Sequence, residues 1–190
     1  MKPLIVGFGN KARHGKDTVA GMVHCAMPAE TRIYSFANAL KGFARVLGMR
    51  SKDGTLLQAL GTDVFRRLNP DMWVDVLAAQ IDEEQPRIAL ITDMRFVNEA
   101  AYVRRMGGLT IRVSRTEIDG RPWVSQDRDP NHPSETALDC YPFDFDFECV
   151  SGDTNGLRTI AAVAERKIRD KYWRLNAPTM MPGTALLYGN

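Results

Sequence analysis

Apolar residues fall along this chain in short blocks whose period changes, and the changes mark the elements. Leu4-Ile5-Val6-Gly7-Phe8 is a continuous apolar run closed by Gly9-Asn10, the pattern of a buried parallel strand. A polar loop, Lys11 to His14, separates it from Thr18 to Val23, which reads as a helix packing back on that strand. Thr31 to Phe36 predicts a second strand. From Asn38 to Glu84 the spacing turns helical: Leu40, Phe43, Ala44 and Leu47, then Leu56, Leu57 and Leu60, then Trp73, Val76, Leu77 and Ile81. Three or four helices are expected there, broken at Ser51-Lys52-Asp53-Gly54 and at Asn69-Pro70.

The second half returns to alternation. Arg87 to Thr92 predicts a third strand, followed by a helix to Met106 that Gly107-Gly108 ends with the left-handed backbone a helix C-terminus prefers. Leu109 to Val113 predicts a fourth strand. Ser114 to Pro133 is polar and arginine-bearing, with Pro122, Pro130 and Pro133, and reads as a loop or lid. Phe143 to Val150 alternates with a period of two, as a half-exposed edge strand does. A last helix runs from Asn155 to Lys171, ahead of a tail from Ala177 to Asn190. Alternating strands and helices imply parallel strands joined by right-handed crossovers, and no repeat, linker or low-complexity tract divides the chain. The fold class expected is α/β, as a single domain.

Composition narrows the function classes. With 44% hydrophobic and 25% charged residues the chain is an ordinary globular sequence rather than a disordered one. A net charge of +2 gives no concentrated basic face for a nucleic-acid polymer. No apolar run reaches the roughly 18 residues a membrane helix needs, and Met1 to Gly9 is too short for a secretory signal. Cys25, Cys140 and Cys149 are widely spaced without a Cys-x-x-Cys pair, which fits reduced thiols in a cytoplasmic protein.

The chemistry concentrates between the first strand and its helix, at Asn10-Lys11-Ala12-Arg13-His14-Gly15-Lys16-Asp17-Thr18. A tight loop there turns backbone N–H groups and a helix N-terminus toward a polyphosphate, and a lysine bridges the outer phosphates. Gly15 permits close approach and Lys16 supplies the charge. The segment departs from G-x-x-x-x-G-K-[ST] twice. Asn10 replaces the first glycine, although Asn tolerates positive φ. Asp17 stands where a Mg²⁺-binding hydroxyl is usual, with Thr18 next; a carboxylate can also serve magnesium, which prefers oxygen. Gly7-Phe8-Gly9-Asn10-Lys11-Ala12 also matches the dinucleotide fingerprint G-x-G-x-x-[GA]. That reading wants an acidic residue after the second strand, where Ser35-Phe36 stands, and gives Lys16 no role.

Asp93 ends the third strand and is a second candidate for magnesium or its water, beside the loop at the carboxyl edge of the sheet. Arg95, two residues on, can clamp a phosphoryl group at the same edge. Arg112, Arg115, Arg121 and Arg128 gather around the expected lid, where mobile guanidiniums suit the charge of phosphoryl transfer. His132 reads as a loop residue rather than a base.

Taken together, the chain resembles the deoxynucleoside monophosphate kinases encoded by tailed bacteriophages, a branch of the nucleoside monophosphate kinase-like P-loop proteins. The resemblance rests on Lys11 to Ala20, Ser35-Phe36-Ala37 with Leu40-Lys41, Leu56 to Asp63, Arg66, Asp71-Met72-Trp73-Val74, Thr92 to Glu99, and His132 to Leu138. It implies a three-layer α/β/α P-loop NTPase fold with a five-stranded parallel sheet, a helical acceptor region over about 37–85, a lid over about 114–135 and a C-terminal tail over about 175–190. It implies ATP and Mg²⁺ as cofactors, with Ala12 to Thr18 around the ATP phosphates, Lys16 and Thr18 holding them, and Asp17 and Asp93 as metal candidates. Arg66 and Arg95 would face the acceptor phosphate, and Lys16, Arg95, Asp93 and Arg66 would form the catalytic set. Ser35, Lys41 and Gln58 would line the acceptor pocket, and Ser151 to Gly156 would cradle adenine. Partners would be ATP and a dNMP, with no nucleic-acid polymer, no membrane and a homodimer as one quaternary state. Animal phosphomevalonate kinases share a similar Gly-Lys-Asp loop and Asp-x-Arg strand end. A kinase of another small phosphorylated acceptor and a non-enzymatic nucleotide-binding module therefore stand as the alternatives.

Overall fold

The computed structural model describes residues 2–48 and 54–177. Its centre is a five-stranded sheet, every pair parallel, built from β1 (Leu4–Gly9), β2 (Thr31–Tyr34), β3 (Ile88–Met94), β4 (Leu109–Thr116) and β5 (Phe145–Val150) in the order β2-β3-β1-β4-β5. Helices cover both faces, so the α/β class and three-layer, five-stranded parallel architecture expected from the sequence are what the chain forms. The order reverses at β1, and the crevice at such a switch point, beyond the carboxyl ends of the strands, is where open α/β sheets place ligands.

Strand β1 shows why both faces must be covered. Leu4, Val6 and Phe8 point to one side, against α1 (Lys16–Ala26) and α8 (Thr154–Asn176), where Val19, Val23, Ile160, Ala164 and Ile168 complete one core. Ile5 points to the other side, against α2 (Asn38–Val46), α5 (Met72–Glu84) and α6 (Val97–Arg105), where Leu40, Trp73, Leu77, Ile81 and Val103 form a second core. Between α2 and α5 lie α3 (Gly54–Gln58), a π-helical stretch (Ala59–Phe65) and α4 (Arg66–Leu68). The indole N–H of Trp73 donates to the Gly61 carbonyl at 3.1 Å and ties this segment to α5. The short α7 (Pro133–Thr136) closes the loop that follows β4.

Several boundaries differ from the sequence expectation. Helix α1 already begins at Lys16, and β2 stops at Tyr34. Strand β4 continues to Thr116 because its polar residues pair with β5, from Ile111↔Phe145 to Thr116↔Val150, so the loop after it starts later. Helix α8 reaches Asn176, since Ile168 and Tyr172 prolong its buried stripe; residues 175 and 176 are therefore helical rather than tail. The break expected at Ser51 to Asp53 and the tail beyond Ala177 lie outside the described residues. No described helix is long and apolar enough to cross a membrane. Cys25 and Cys140 are exposed free thiols and Cys149 is a buried one.

Candidate active site

The β1–α1 loop has the backbone of an anion cradle. Asn10 adopts φ 110°, and its side-chain amide donates to the Val113 carbonyl at 3.3 Å and the Ser114 hydroxyl at 2.9 Å, pinning the first turn to β4. That is how an asparagine serves where glycine is usual. Gly15 has φ 91° at the mouth of α1, and a Cβ there would stand 3.0 Å from Leu157. Lys16 is 3% exposed and its ammonium donates to the Lys11 carbonyl at 2.5 Å. Burial, and then the Arg95 guanidinium, push that ammonium well below its usual range, against the pull of Asp17, Glu135 and Asp93. His14 is buried beside it. Desolvation and Lys16 lower its pKa to about 4, so the imidazole is neutral and its Nδ1 accepts the Arg115 N–H at 3.0 Å.

Two cavities meet at this loop. One, of about 300 Å³, lies among Gly15, Thr18, Arg115, Gly152, Asp153 and Leu157, where the segment Ser151 to Gly156 was expected to take a base. The other, of about 370 Å³, opens toward α2, the π-helical stretch and α5; Phe36, Leu40, Lys41, Gln58, Arg66 and Trp73 line it. Arg13 and Asp17 line both. Among the described residues Asp17 has no hydrogen-bond or ion-pair partner, and it stands at the junction.

The larger cavity holds most of the polar residues singled out in the sequence. Arg66 pairs with the buried Glu99, and its guanidinium covers the Phe96 ring at 3.9 Å. Burial pushes the Glu99 carboxyl up to about 7, against the opposing effects of Arg66 and of the Arg95 and Phe96 N–H groups it accepts. Asp93 also lines this cavity, but its carboxylate accepts from the Ser35 hydroxyl (2.5 Å) and from the N–H groups of Phe36 (2.8 Å) and Ala37 (3.0 Å). It therefore anchors the turn into α2. Ser35 turns onto Asp93, with Lys41 at 3.4 Å from its hydroxyl. Gln58 is buried and donates to the Ser134 hydroxyl at 3.2 Å and to the Asp129 carbonyl at 3.5 Å, joining the helical region to the β4–α7 loop.

The four lid arginines separate. Arg128 lines the larger cavity, and Arg115 lines the smaller one, stacked 4.4 Å over Trp123 and bonded to Ser151. Arg112 is a correction: it lies within β4, and its guanidinium caps the carbonyls of Leu138, Asp139 and Tyr141 over the Phe143 ring. Arg121 sits exposed on the turn closed by the Thr116↔Pro122 bridge, paired with Asp119 two residues away. His132 caps α7, its Nδ1 accepting the Ser134 N–H at 3.1 Å.

Sequence reasoning assigned no role to Glu135, and the structure makes it central. This buried carboxylate accepts from the Ala12 N–H of the loop at 2.8 Å, from Arg95 at 2.9 Å and from Arg128 at 3.4 Å. Asp127 and Asp139 add ion pairs to Arg13 and Lys11, so carboxylates of the β4–β5 connection hold three successive residues of the loop. Its signal in the sequence was its place in the His132 to Leu138 stretch that carries the resemblance.

For magnesium, the donors present are oxygens, as that ion requires. Asp17 offers an unengaged carboxylate at the junction and Thr18 a hydroxyl beside it, whereas Asp93 is already satisfied by protein donors. The described residues contain no cluster of three or more His, Cys, Asp or Glu arranged as a cage. Oxygen donors of this kind suit an ion that takes most of its ligands from phosphates and water.

A family model, a curated relative and a solved structure resemble this chain. Residues 54–145 match the model of the family described as deoxynucleotide monophosphate kinase. The deoxynucleoside-5'-monophosphate kinase of Escherichia phage T5 is 30% identical over 87 residues, which is 44% of this chain and 33% of that protein. The match thus spans about a third of the relative's length. Among solved structures, the tunicamycin resistance protein of Deinococcus radiodurans superposes with a TM-score of 0.47 at 12% identity, over 87% of this chain and 95% of that one. The matched family segment contains Gln58, Arg66, Asp93, Arg95, Glu99 and Glu135, and the phosphate loop lies outside it.

Proposed function

We propose that this chain is a deoxynucleoside monophosphate kinase, which transfers the terminal phosphoryl group of ATP to a dNMP to give ADP and dNDP. The observation that carries the proposal is the meeting of two cavities at Arg13 and Asp17, one on the phosphate loop side and one lined in part by the segment that matches the kinase family. Two substrates entering from opposite sides would place donor and acceptor phosphates together at that junction, which supplies the proximity phosphoryl transfer chiefly needs.

Each residue then has work its position allows. The loop N–H groups and Lys16 bind the donor phosphates, with Thr18 beside them. Arg66, packed on Phe96, faces the acceptor's phosphate, and Arg95 and Arg128 stand where charge spreads over the transferring oxygens. Phe36, Leu40 and Trp73 give the acceptor base apolar walls, while Lys41 and Gln58 offer it polar contacts. Magnesium, when bound near Asp17, would neutralise charge on the donor phosphates.

The test is an acceptor screen. ADP formation from MgATP is measured with dAMP, dCMP, dGMP and dTMP in turn, then with ribonucleotides and non-nucleotide phosphates such as phosphomevalonate. Dependence on one or more dNMPs is expected. Turnover with non-nucleotide phosphates alone would move the assignment to another acceptor class. ATP binding without any acceptor-dependent turnover would leave a nucleotide-binding module.

A further inference from the structure

We propose that Glu135 is a positioning residue that holds Arg95 and Arg128 at the wall of the larger cavity and ties them to the phosphate loop. The inference rests on the kinase reading above. Three elements converge on this one carboxylate: the loop after β1 through the Ala12 N–H, the turn after β3 through Arg95, and the segment before α7 through Arg128. Glu135 is 6% exposed and lines neither cavity, so it does not touch substrate; the two guanidiniums it holds do line one. Both arginines bond to its Oε1, and Oε2 is left for Ala12.

The division of labour between the two oxygens matters. Without an anion between them, two guanidiniums, one of them acting on Lys16, would repel one another, and long arginine side chains would sample many rotamers. A buried shared carboxylate fixes their geometry before substrate arrives, and it couples them to the loop that holds the donor. Pre-set cations at the reacting phosphates are the arrangement phosphoryl transfer rewards, because displacement of such a group by about 1 Å can cost roughly 100-fold in rate. The segment bearing Arg128 and Glu135 is thereby braced against the phosphate loop and the larger cavity by a contact the reaction itself does not use.

The experiment compares the full-length protein with Glu135→Gln and Glu135→Asp. The glutamine keeps size and one acceptor for Ala12 but turns an amide NH₂ toward the arginines; the aspartate keeps charge but withdraws it by one methylene. Steady-state kinetics give kcat and KM for ATP and the dNMP. Calorimetry gives affinity for ATP alone and for a bisubstrate probe, adenosine joined by five phosphates to a deoxynucleoside. We expect kcat to fall roughly 10- to 100-fold in Glu135→Gln and less in Glu135→Asp, with both KM values within about threefold. Bisubstrate affinity should fall by about tenfold or more while ATP affinity is unchanged. A Glu135→Gln protein with wild-type kcat and bisubstrate affinity overturns the proposal. So does a loss shared equally by ATP binding, kcat and melting temperature, which marks a structural role. Should the glutamine variant fail to fold, the aspartate variant decides by the same two affinities. A wild-type protein that neither turns over a dNMP nor binds the bisubstrate probe more tightly than ATP removes the premise itself, and this proposal with it.

Discussion

The Lys16 ammonium is buried with the Arg95 guanidinium acting on it, and two consequences can be measured on single residues. Lys16→Met should lose dNMP-dependent turnover by about 100-fold or more. The same change removes a desolvated charge that lacks a phosphate partner, so its melting temperature should rise by roughly 2–4 °C, as expected where function is held against stability. An unchanged or lower value would mean that the ammonium is already well compensated. His14 gives a pH signature. Its folded pKa of about 4 lies below the usual value of 6.5, so the unfolded chain binds the extra proton and stability is lost as pH falls from about 6.5 toward 4. At pH 5 that loss is about 2 kcal/mol. Denaturant titrations at pH 7 and pH 5 should show a larger drop for the wild type than for His14→Gln; equal drops would contradict it. Residues of this kind divide by what reveals them. Lys16 and the positive φ at Asn10 were legible, because a loop between strand and helix dictates them locally. Glu99 and Glu135 were not, since nothing local marks a carboxylate whose burial and partners come from distant segments.

Elements were legible where one face is apolar and the caps are local, and less so where pairing or tertiary packing sets the limits. Strands β1 and β3 announced themselves as apolar runs. The last turn of β4 did not, because Ser114 and Arg115 extend only by pairing with β5, and the π-helical stretch has a helix-like apolar spacing that does not show its extra residue per turn. The joint between α6 and β4 shows how little slack the packing leaves. A Cβ on Gly108 would meet the Ile5 carbonyl at 2.1 Å, and backbone cannot move aside as a flexible side chain can. Gly108→Ala should therefore destabilise by about 3 kcal/mol in urea unfolding. A second test concerns the start of α6, where Glu99 accepts two backbone N–H groups and pairs with Arg66. Arg66→Met alone leaves a buried acid without its partner and should cost about 3 kcal/mol. Combining it with Glu99→Gln, which still accepts those N–H groups, should recover most of that stability; purely additive losses would contradict the pairing.

At the scale of the whole molecule, the sheet order puts the β1 loop between two cavities, and the sequence could not show this. Motifs named the phosphate loop and the strand-end Asp93, but whether they face one space or two depends on where β4 and β5 bring Arg115, Gly152 and Leu157, and where the helical region brings Arg66 and Gln58. The lid was the least legible part: of four arginines grouped by proximity in sequence, Arg112 braces carbonyls and Arg121 turns to solvent, while Arg115 and Arg128 reach opposite cavities. The central claim is direct transfer between substrates that meet at this junction. It is tested by incubating the protein with MgATP labelled at the γ-phosphate and the preferred dNMP, then separating the products. The account predicts label in the β-phosphate of dNDP, in equal amount to the ADP formed, and none of it with Lys16→Met. Label released only as inorganic phosphate, or no dNDP with any of the four deoxynucleotides on folded protein, would contradict it.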